Sequence, residues 1–420
     1  MTHITLNHIA KIEGHAKLNV KITEGKVEEC KMEVFEGSRY FEAIVKDRHY
    51  SDLPIITARI CGICSQAHAI SSIEAIENAF GVKASNQTKL LREVMCIASL
   101  IQSHVLHLYF LALPDYLGYD GALSMAAKHK KEVVRGLKLK KLANDINTVI
   151  GGRDVHAITC VVGGFTKIPK DEQIKELVDR LKDAKNDAIE TAKLFAKIKY
   201  PKFERRTEFF AMVKPKDYTV LNGGIASSKS KVSTKDYAKH LREYIVPYST
   251  AKFSVYKEKP YLVGALARVN LNRKNLSYNA KKALKLKTPC YNPFMNNLCQ
   301  AVEVVHFIEC LTKMLEEVKL KEEEIVGVKP KSSRGISVSE APRGLLFHDY
   351  TFDSKGFVKT ANIVTPTAQN LKNIEEDIKE FLPSILKKKE SEIVLELEKL
   401  IRAYDPCISC SAHFLEVNWL

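Results

Sequence analysis

Two Cys-x-x-Cys pairs stand near opposite ends of this chain, Cys61-Gly62-Ile63-Cys64 and Cys407-Ile408-Ser409-Cys410. Each pair can aim two sulfurs at one point, so together they offer four soft thiolate ligands to a metal or cluster. More than 300 residues separate them. A zinc ribbon spaces its pairs roughly 15–20 residues apart and staples a fold too small for a core of its own. With 420 residues, 45% of them hydrophobic, this chain can bury a core unaided. The spacing therefore demands a fold that brings its two ends together around the site. The cysteines by themselves leave three readings open: structural zinc, a cysteine-ligated iron–sulfur cluster, or, for either pair alone, a thioredoxin-type redox couple.

The other six cysteines, Cys30, Cys96, Cys160, Cys290, Cys299 and Cys310, lack cluster spacing and read as buried free thiols. Ten cysteines in a chain this long are too sparse for a secreted disulfide scaffold. The start, Met1-Thr2-His3-Ile4-Thr5, has neither a charged nor an apolar leader region, and no stretch approaches the ~18 apolar residues of a membrane span. The expectation is a soluble chain in a reducing compartment. The net charge of +15 is spread as lysine, with local clusters such as Lys387-Lys388-Lys389. No basic stripe is interleaved with aromatics, which argues against nucleic acid and for a solvated surface.

Hydrophobic periodicity predicts long helices over Asn86–Leu113, Asp171–Ile198, Asn297–Leu320 and Glu390–Arg402. Alternation over Thr2–Glu36, with a turn at Glu24-Gly25, predicts a small sheet, and Gly335–His348 and Gly356–Val364 read as strands. Lys329–Arg334 reads as a surface loop. There is no repeat and no convincing linker. The fold class expected is α+β and helix-dominated: one domain over residues 1–420, a bundle of long helices with small sheets near the two ends.

Several motifs recur in a fixed order around the cysteines. Arg59-Ile60-Cys61-Gly62-Ile63-Cys64 is followed by His68, and Asp405-Pro406-Cys407-Ile408-Ser409-Cys410 by His413. RxCGxCxxxH and DPCxxCxxH are the paired signatures of the nickel–iron hydrogenase large subunit, which this chain resembles over nearly its whole length. Ile12-Glu13-Gly14-His15 is similar to that family's RxEGH, with Lys11 in place of Arg, and Arg39-Tyr40-Phe41-Glu42 to its RxFE. Ser103-His104 through Asp115, Gly151-Gly152-Arg153-Asp154-Val155-His156, Glu340-Ala341-Pro342-Arg343-Gly344 and Thr365-Pro366-Thr367-Ala368-Gln369-Asn370 complete the series, with Ala157 replacing a usual Pro.

The resemblance implies roles. Cys61 and Cys407 would be terminal nickel ligands, and Cys64 and Cys410 would bridge nickel to an iron carrying carbon monoxide and two cyanides. Glu13 would carry the proton away. Arg343 would lie over the open face of the metals, oriented by Asp115. Pro366 and Thr367 would line the diatomic ligands, and His68 would hydrogen-bond a bridging sulfur. Glu42 and His413, with a backbone carbonyl near Asn370 or Leu371, would hold magnesium or another divalent cation. Read without that family, Glu13 is a solvated side chain, Arg343 a surface ion pair, Asp115 a turn former and His68 a satisfied core residue.

The chain has no iron–sulfur run, flavin fingerprint or haem motif of its own, so electrons from dihydrogen must leave through a partner. The resemblance implies an iron–sulfur small subunit. The details around Arg39-Tyr40-Phe41-Glu42 and Leu113-Pro114-Asp115-Tyr116 look most like soluble archaeal sulfhydrogenases, with the methanogen viologen-reducing type next. That group implies a cytoplasmic enzyme with flavin- and nicotinamide-using subunits. The family also implies nickel chaperones and a maturation protease that cuts after His413, so residues 414–420 would be a removable tail. Two rivals are a respiratory-complex relative that lost its metals, against which the cysteine pairs argue, and a zinc-stabilised scaffold.

Overall fold

The computed structural model describes residues 2–37 and 40–412. Its centre is a ring of four long helices, Asn86–Leu106, Lys130–Gly151, Asp171–Lys197 and Asn296–Glu317, each packed against two of the others. The first starts where Ser85 accepts the Thr88 N–H, so a side-chain cap sets its N-terminus. It runs on through a π-helical stretch, His107–Ala112, into Leu113–Leu117. The Asn86–Leu117 run is long and apolar enough to cross a membrane, contrary to the sequence expectation that no stretch is. Its apolar surface is instead mostly buried inside the fold, as in the core helix of a bundle.

Three strands, Thr2–Leu6, Ala16–Thr23 and Lys26–Val34, form the expected N-terminal antiparallel sheet. In Ala16–Thr23 buried and half-buried positions alternate, the period-two pattern of a sheet with one face on the core. The C-terminal sheet differs from expectation. Gly335–His348 is not one strand: Ser333–Ala341 and Gly344–Phe352 pair antiparallel across a two-residue turn, Pro342-Arg343, and Val358–Val364 adds a third strand. On both sides of the turn, Ser337–Ala341 and Gly344–Tyr350 are continuously buried, so no polar alternation marks the break. The Pro-Arg-Gly turn chemistry does.

A further sheet lies outside the expected end positions. Glu208–Val213 pairs with Gly224–Ser227 on one side and with Tyr261–Leu262 on the other, and Lys231–Val232 extends it. Leu241–Val246 and Ser249–Tyr256 form a separate hairpin. These strands are short and several are buried on both faces, which erases the alternation that reveals a strand in sequence. Three long helices also escaped the periodicity: Ser65–Phe80, buried nearly all round, Lys130–Gly151, and Pro366–Phe381, as did several shorter ones. The Ser65–Phe80 helix lies on the C-terminal sheet, and Pro366–Phe381 lies against Ser249–Tyr256 and Lys26–Val34.

Candidate metal centre

Both cysteine pairs sit where a helix ends and another begins. The chain becomes extended at Cys61, and Cys64 is the N-cap residue of the Ser65–Phe80 helix. At the other end the Glu390–Ala403 helix stops, Asp405 turns with φ 51°, and Cys407 precedes the short Ile408–Ser411 helix. The second loop is held by the chain's N-terminal part. Ile408 N–H donates to the Glu13 carbonyl at 2.9 Å, and Cys407 N–H donates to Thr367 Oγ1 at 2.9 Å. Gly14 makes the approach possible: at φ +82° it adopts a conformation that suits glycine, and a Cβ there would lie 2.8 Å from Ile408 Cβ.

The four sulfurs converge. Cys61 Sγ is 3.3 Å from Cys407 Sγ, Cys64 Sγ is 3.6 Å from Cys410 Sγ, and Cys407 Sγ is 3.1 Å from Cys410 Sγ. All four sulfurs are buried, and none is in a disulfide. Such proximity couples their protons. Hydrogen bonds from Cys407, Cys410 and Cys64 hold Cys61 well below the ordinary thiol range despite full burial. Burial pushes Cys407 up, and contact with Cys407 pushes Cys410 up. The four sulfurs thus share charge as a group, and a bound cation is what lets them ionise together. Cys61, Cys407 and Cys410 lie close enough to share one ion, as do Cys64, His68 and Cys410.

Charged and polar groups crowd the same point. Glu13 Oε2 lies 3.1 Å from Cys407 Sγ and accepts the Ser409 N–H at 3.0 Å. His68 Nε2 is 3.9 Å from Cys410 Sγ, and its Nδ1 faces His348 Nε2 at 3.1 Å. Pro366 and Thr367 open the Pro366–Phe381 helix and are buried. Arg343 projects from its turn and is buried beside the sulfurs. Burial alone would pull its guanidinium down, but Asp405 and the cysteines outweigh that and hold it well above its ordinary value. Its Nη1 has no hydrogen-bond partner among the described residues. A fully buried guanidinium N–H without an acceptor calls for an anionic or polar ligand at the sulfurs, so the residues present suit a metal that carries one.

The expected pairing of Asp115 with Arg343 is not what the structure has. Asp115 binds Lys11 and Arg402, and Arg343 binds Asp405, Nη2 to Oδ1 at 2.9 Å. Arg402, one turn before the cysteine loop, reaches Asp115 first, while Asp405 follows that helix directly onto the loop. Asp405 lies within the Asp-Pro-Cys motif itself, so the signal for it was in the sequence. Behind it Gln300 Nε2 donates to Asp405 Oδ2 at 3.1 Å, and Gln300 Oε1 meets His107 Nδ1 at 2.6 Å. Arg268 is fully buried and donates to the Ala341 and Pro342 carbonyls as well as to Glu303 and Glu340, anchoring the turn that carries Arg343. Neither Arg268 nor Gln300 falls in a motif, and helical periodicity treats both as polar interruptions.

Of the residues expected at the second cation site, Glu42 sits beside a lysine. Both Glu42 carboxylate oxygens lie 3.0 Å from the Lys252 ammonium, and Ile363 N–H donates to Oε1 at 2.8 Å. Asn370 and Leu371 lie inside the Pro366–Phe381 helix, whose carbonyls serve its own hydrogen bonds, and the Asn370 side chain binds the Val263 backbone. His413 and residues 414–420 lie outside the described residues, as does Arg39.

The fold and the four-sulfur centre define a metal-dependent protein built around a site between its two chain ends. The family description "Nickel-dependent hydrogenase" matches residues 39–135 and 226–413, and the chain belongs to that family. It is 37% identical to the alpha chain of sulfhydrogenase 1 from Pyrococcus furiosus, over 99% of this chain and 98% of the relative. It is 33% identical to the alpha chain of sulfhydrogenase 2 from the same organism, over 99% and 100%. Among solved structures, an NAD+-reducing NiFe hydrogenase in the H2-reduced state superposes with TM-score 0.88 at 23% identity, covering 98% of this chain and 100% of that one. The NiFeSe hydrogenase of Desulfomicrobium baculatum gives 0.79 at 25%, with the same coverage. The chain is thus a hydrogenase large subunit whose cysteine cluster is compatible with nickel and iron. Membership of a nickel-dependent family removes the zinc-scaffold and iron–sulfur readings of the cysteines.

Proposed function

We propose that this chain splits dihydrogen reversibly and heterolytically at a nickel–iron pair held by Cys61, Cys64, Cys407 and Cys410, the first and third as terminal nickel ligands and the other two as bridges. The observation that carries this is the convergence of four cysteine sulfurs beside a buried arginine that has an unfilled N–H. When bound, the metal pair polarises dihydrogen and takes up its electron pair, with thiolates supplying the electron density that nickel needs. The chain's own groups handle the proton. Cys407 Sγ accepts it and passes it to Glu13 Oε2, 3.1 Å away, on a half-buried residue. Asp405 fixes Arg343 so that its unfilled Nη1 would be available to a cyanide on the iron. Thr367, whose oxygen already accepts from Cys407 N–H, would keep its hydroxyl proton for a second cyanide, while Pro366 would give an apolar wall to carbon monoxide. His68 donates to the Cys410 bridge. Asp115 steadies the cysteine loop through Arg402.

Large hydrogenase subunits pair with a small iron–sulfur subunit, and the same reading sends the electrons there. Exposed Ile55, Ile158 and Ile325 border an apolar cleft of about 360 Å³ next to the Arg59–Cys61 segment, which suits such a partner. Flavin- and nicotinamide-using subunits further out, a cytoplasmic setting, and magnesium or another divalent cation between Glu42 and His413 alongside Lys252 belong to this reading. So do nickel chaperones and a protease that removes residues 414–420 after His413. Elemental analysis of the purified protein tests the centre: nickel and iron in near-equal amounts are expected, and Cys407→Ser should lose nickel and all hydrogen turnover. Zinc alone in an active preparation would overturn it. Intact mass of the active enzyme should end at His413, and retention of Phe414–Leu420 would refute the cleavage.

A further inference from the structure

A second concavity lies away from the sulfurs, beside the Glu208–Val213 strand. Its volume is about 420 Å³, within the range of small-molecule sites, and Arg206, Lys229, Lys259, Ser228, Tyr256 and Tyr291 line it. The three cations come from different loops. Lys229 is on the tight turn after Gly224–Ser227, where Ser227 Oγ accepts the Lys229 and Ser230 N–H groups at 3.1 and 3.0 Å. Lys259 is on the turn after Ser249–Tyr256, and Arg206 is just before Glu208–Val213. Among the described residues no carboxylate pairs with any of the three. Glu208, which also lines the cleft, is engaged by the Ser227 hydroxyl. Tyr291 stacks on Phe209, with ring centres 5.4 Å apart, which makes that wall rigid. Three cations face one void against the single carboxylate of Glu208, so the cleft carries net positive charge that an anion relieves.

We propose that this cleft binds a small polyphosphate, the chemistry shared by free pyrophosphate and a nucleoside di- or triphosphate. The arginine and the two lysines supply charge-assisted donors, and the Ser228 hydroxyl adds another. The back of the cleft links it to the metal centre. Arg205 and Thr207 line that side, and both donate to Asn373 Oδ1, at 2.5 and 2.7 Å. Asn373 Nδ2 donates to Tyr404 Oη at 2.6 Å, and Asp377 joins Arg205 to the same hydroxyl. Tyr404 immediately precedes Asp405, the partner of Arg343. A bound polyphosphate therefore bears on the segment that carries Cys407.

Titration calorimetry of the assembled protein with ADP and with pyrophosphate decides the matter. Saturable binding of one ligand per chain is expected, weakened at least about tenfold in Lys229→Gln/Lys259→Gln, which corresponds to about 1.4 kcal/mol. Hydrogen turnover without ligand should be unchanged in that variant. ADP binding more tightly than pyrophosphate, with the difference lost in Tyr291→Ala, identifies a nucleotide as the source; equal binding identifies the inorganic anion. If neither binds, or if the double variant binds like the parent, the proposal is wrong. Saturating ligand should also change turnover in the parent and not in the double variant. Unchanged turnover with ligand bound would refute the link to Arg343.

Discussion

Replacing Gly14 by Ala measures how tightly the two chain ends close. Gly14 has φ +82°, and an added Cβ would sit 2.8 Å from Ile408 Cβ and 3.2 Å from Ser409 N. Gly25, in the turn between Ala16–Thr23 and Lys26–Val34, has φ +75° and nothing within 4 Å of such a Cβ, so it is the control. Both alanines bear the left-handed conformation, at about 1–2 kcal/mol. Only Gly14→Ala also overpacks a fixed neighbour, which adds about 1–3 kcal/mol. Ile408 Cβ is bound to backbone and cannot swing aside, so the cysteine loop must move. The Glu13–Ile408 hydrogen bond and the 3.1 Å contact of Glu13 with Cys407 then lengthen. Denaturant unfolding of the three proteins should rank parent, Gly25→Ala, Gly14→Ala, with a gap of about 1–3 kcal/mol between the last two. Nickel per chain should fall in Gly14→Ala alone. Equal stability and equal nickel in the two variants would show that the loop does not close on Gly14 as described.

Three more perturbations follow from the same geometry. Glu13→Gln should keep its metals and its fold but suppress hydrogen turnover by at least about a hundredfold, the scale of a lost general base; full activity with normal nickel would move the proton route elsewhere. Arg343→Lys should retain nickel yet lower turnover, because an ammonium cannot hold Asp405 and present a second N–H in one plane; infrared bands of the iron ligands, unshifted in this variant, would count against the contact. Burial pushes the Glu303 carboxyl up, but Arg268 and the His104 hydrogen bond outweigh it and hold it below the carboxylate range. A depressed acid adds stability above its unfolded value of about 4.5 and loses it as pH falls. Glu303→Gln should therefore cost about 3–5 kcal/mol at neutral pH and progressively less in acid, and a pH-independent cost would contradict the ion pair.

What could be read from the residues was whatever depends on local pattern. Helices with one apolar stripe, such as Asp171–Lys197, announced themselves within a residue or two of their ends. The four cysteines were legible because their spacing excluded a local staple. The Ser65–Phe80 helix was not, because it is buried on nearly every side and has no polar face to set a period. The hairpin at Pro342-Arg343 was hidden for the same reason. The partner of Arg343 was misplaced because ion pairing depends on which carboxylate arrives within about 3 Å after packing. Asp115 and Asp405 are equal candidates until the Glu390–Ala403 helix is docked. Likewise the pairing of Glu42 with Lys252 joins residues 210 apart, a separation that no local pattern spans.

The placement of the four clustered cysteines in two pairs far apart in the chain sets a clock for biosynthesis. Synthesis proceeds at roughly 5–20 residues per second and early segments fold first, so Cys407 emerges on the order of 20–70 s after Cys64. For that interval Cys61 and Cys64 sit at the edge of a growing fold with no opposing sulfurs. Everything that shapes the far wall, from Arg268 and Gln300 to Thr367, precedes Cys407 in the chain. The last loop closes against a nearly finished wall, so the complete four-sulfur site first exists only after Cys410 has emerged.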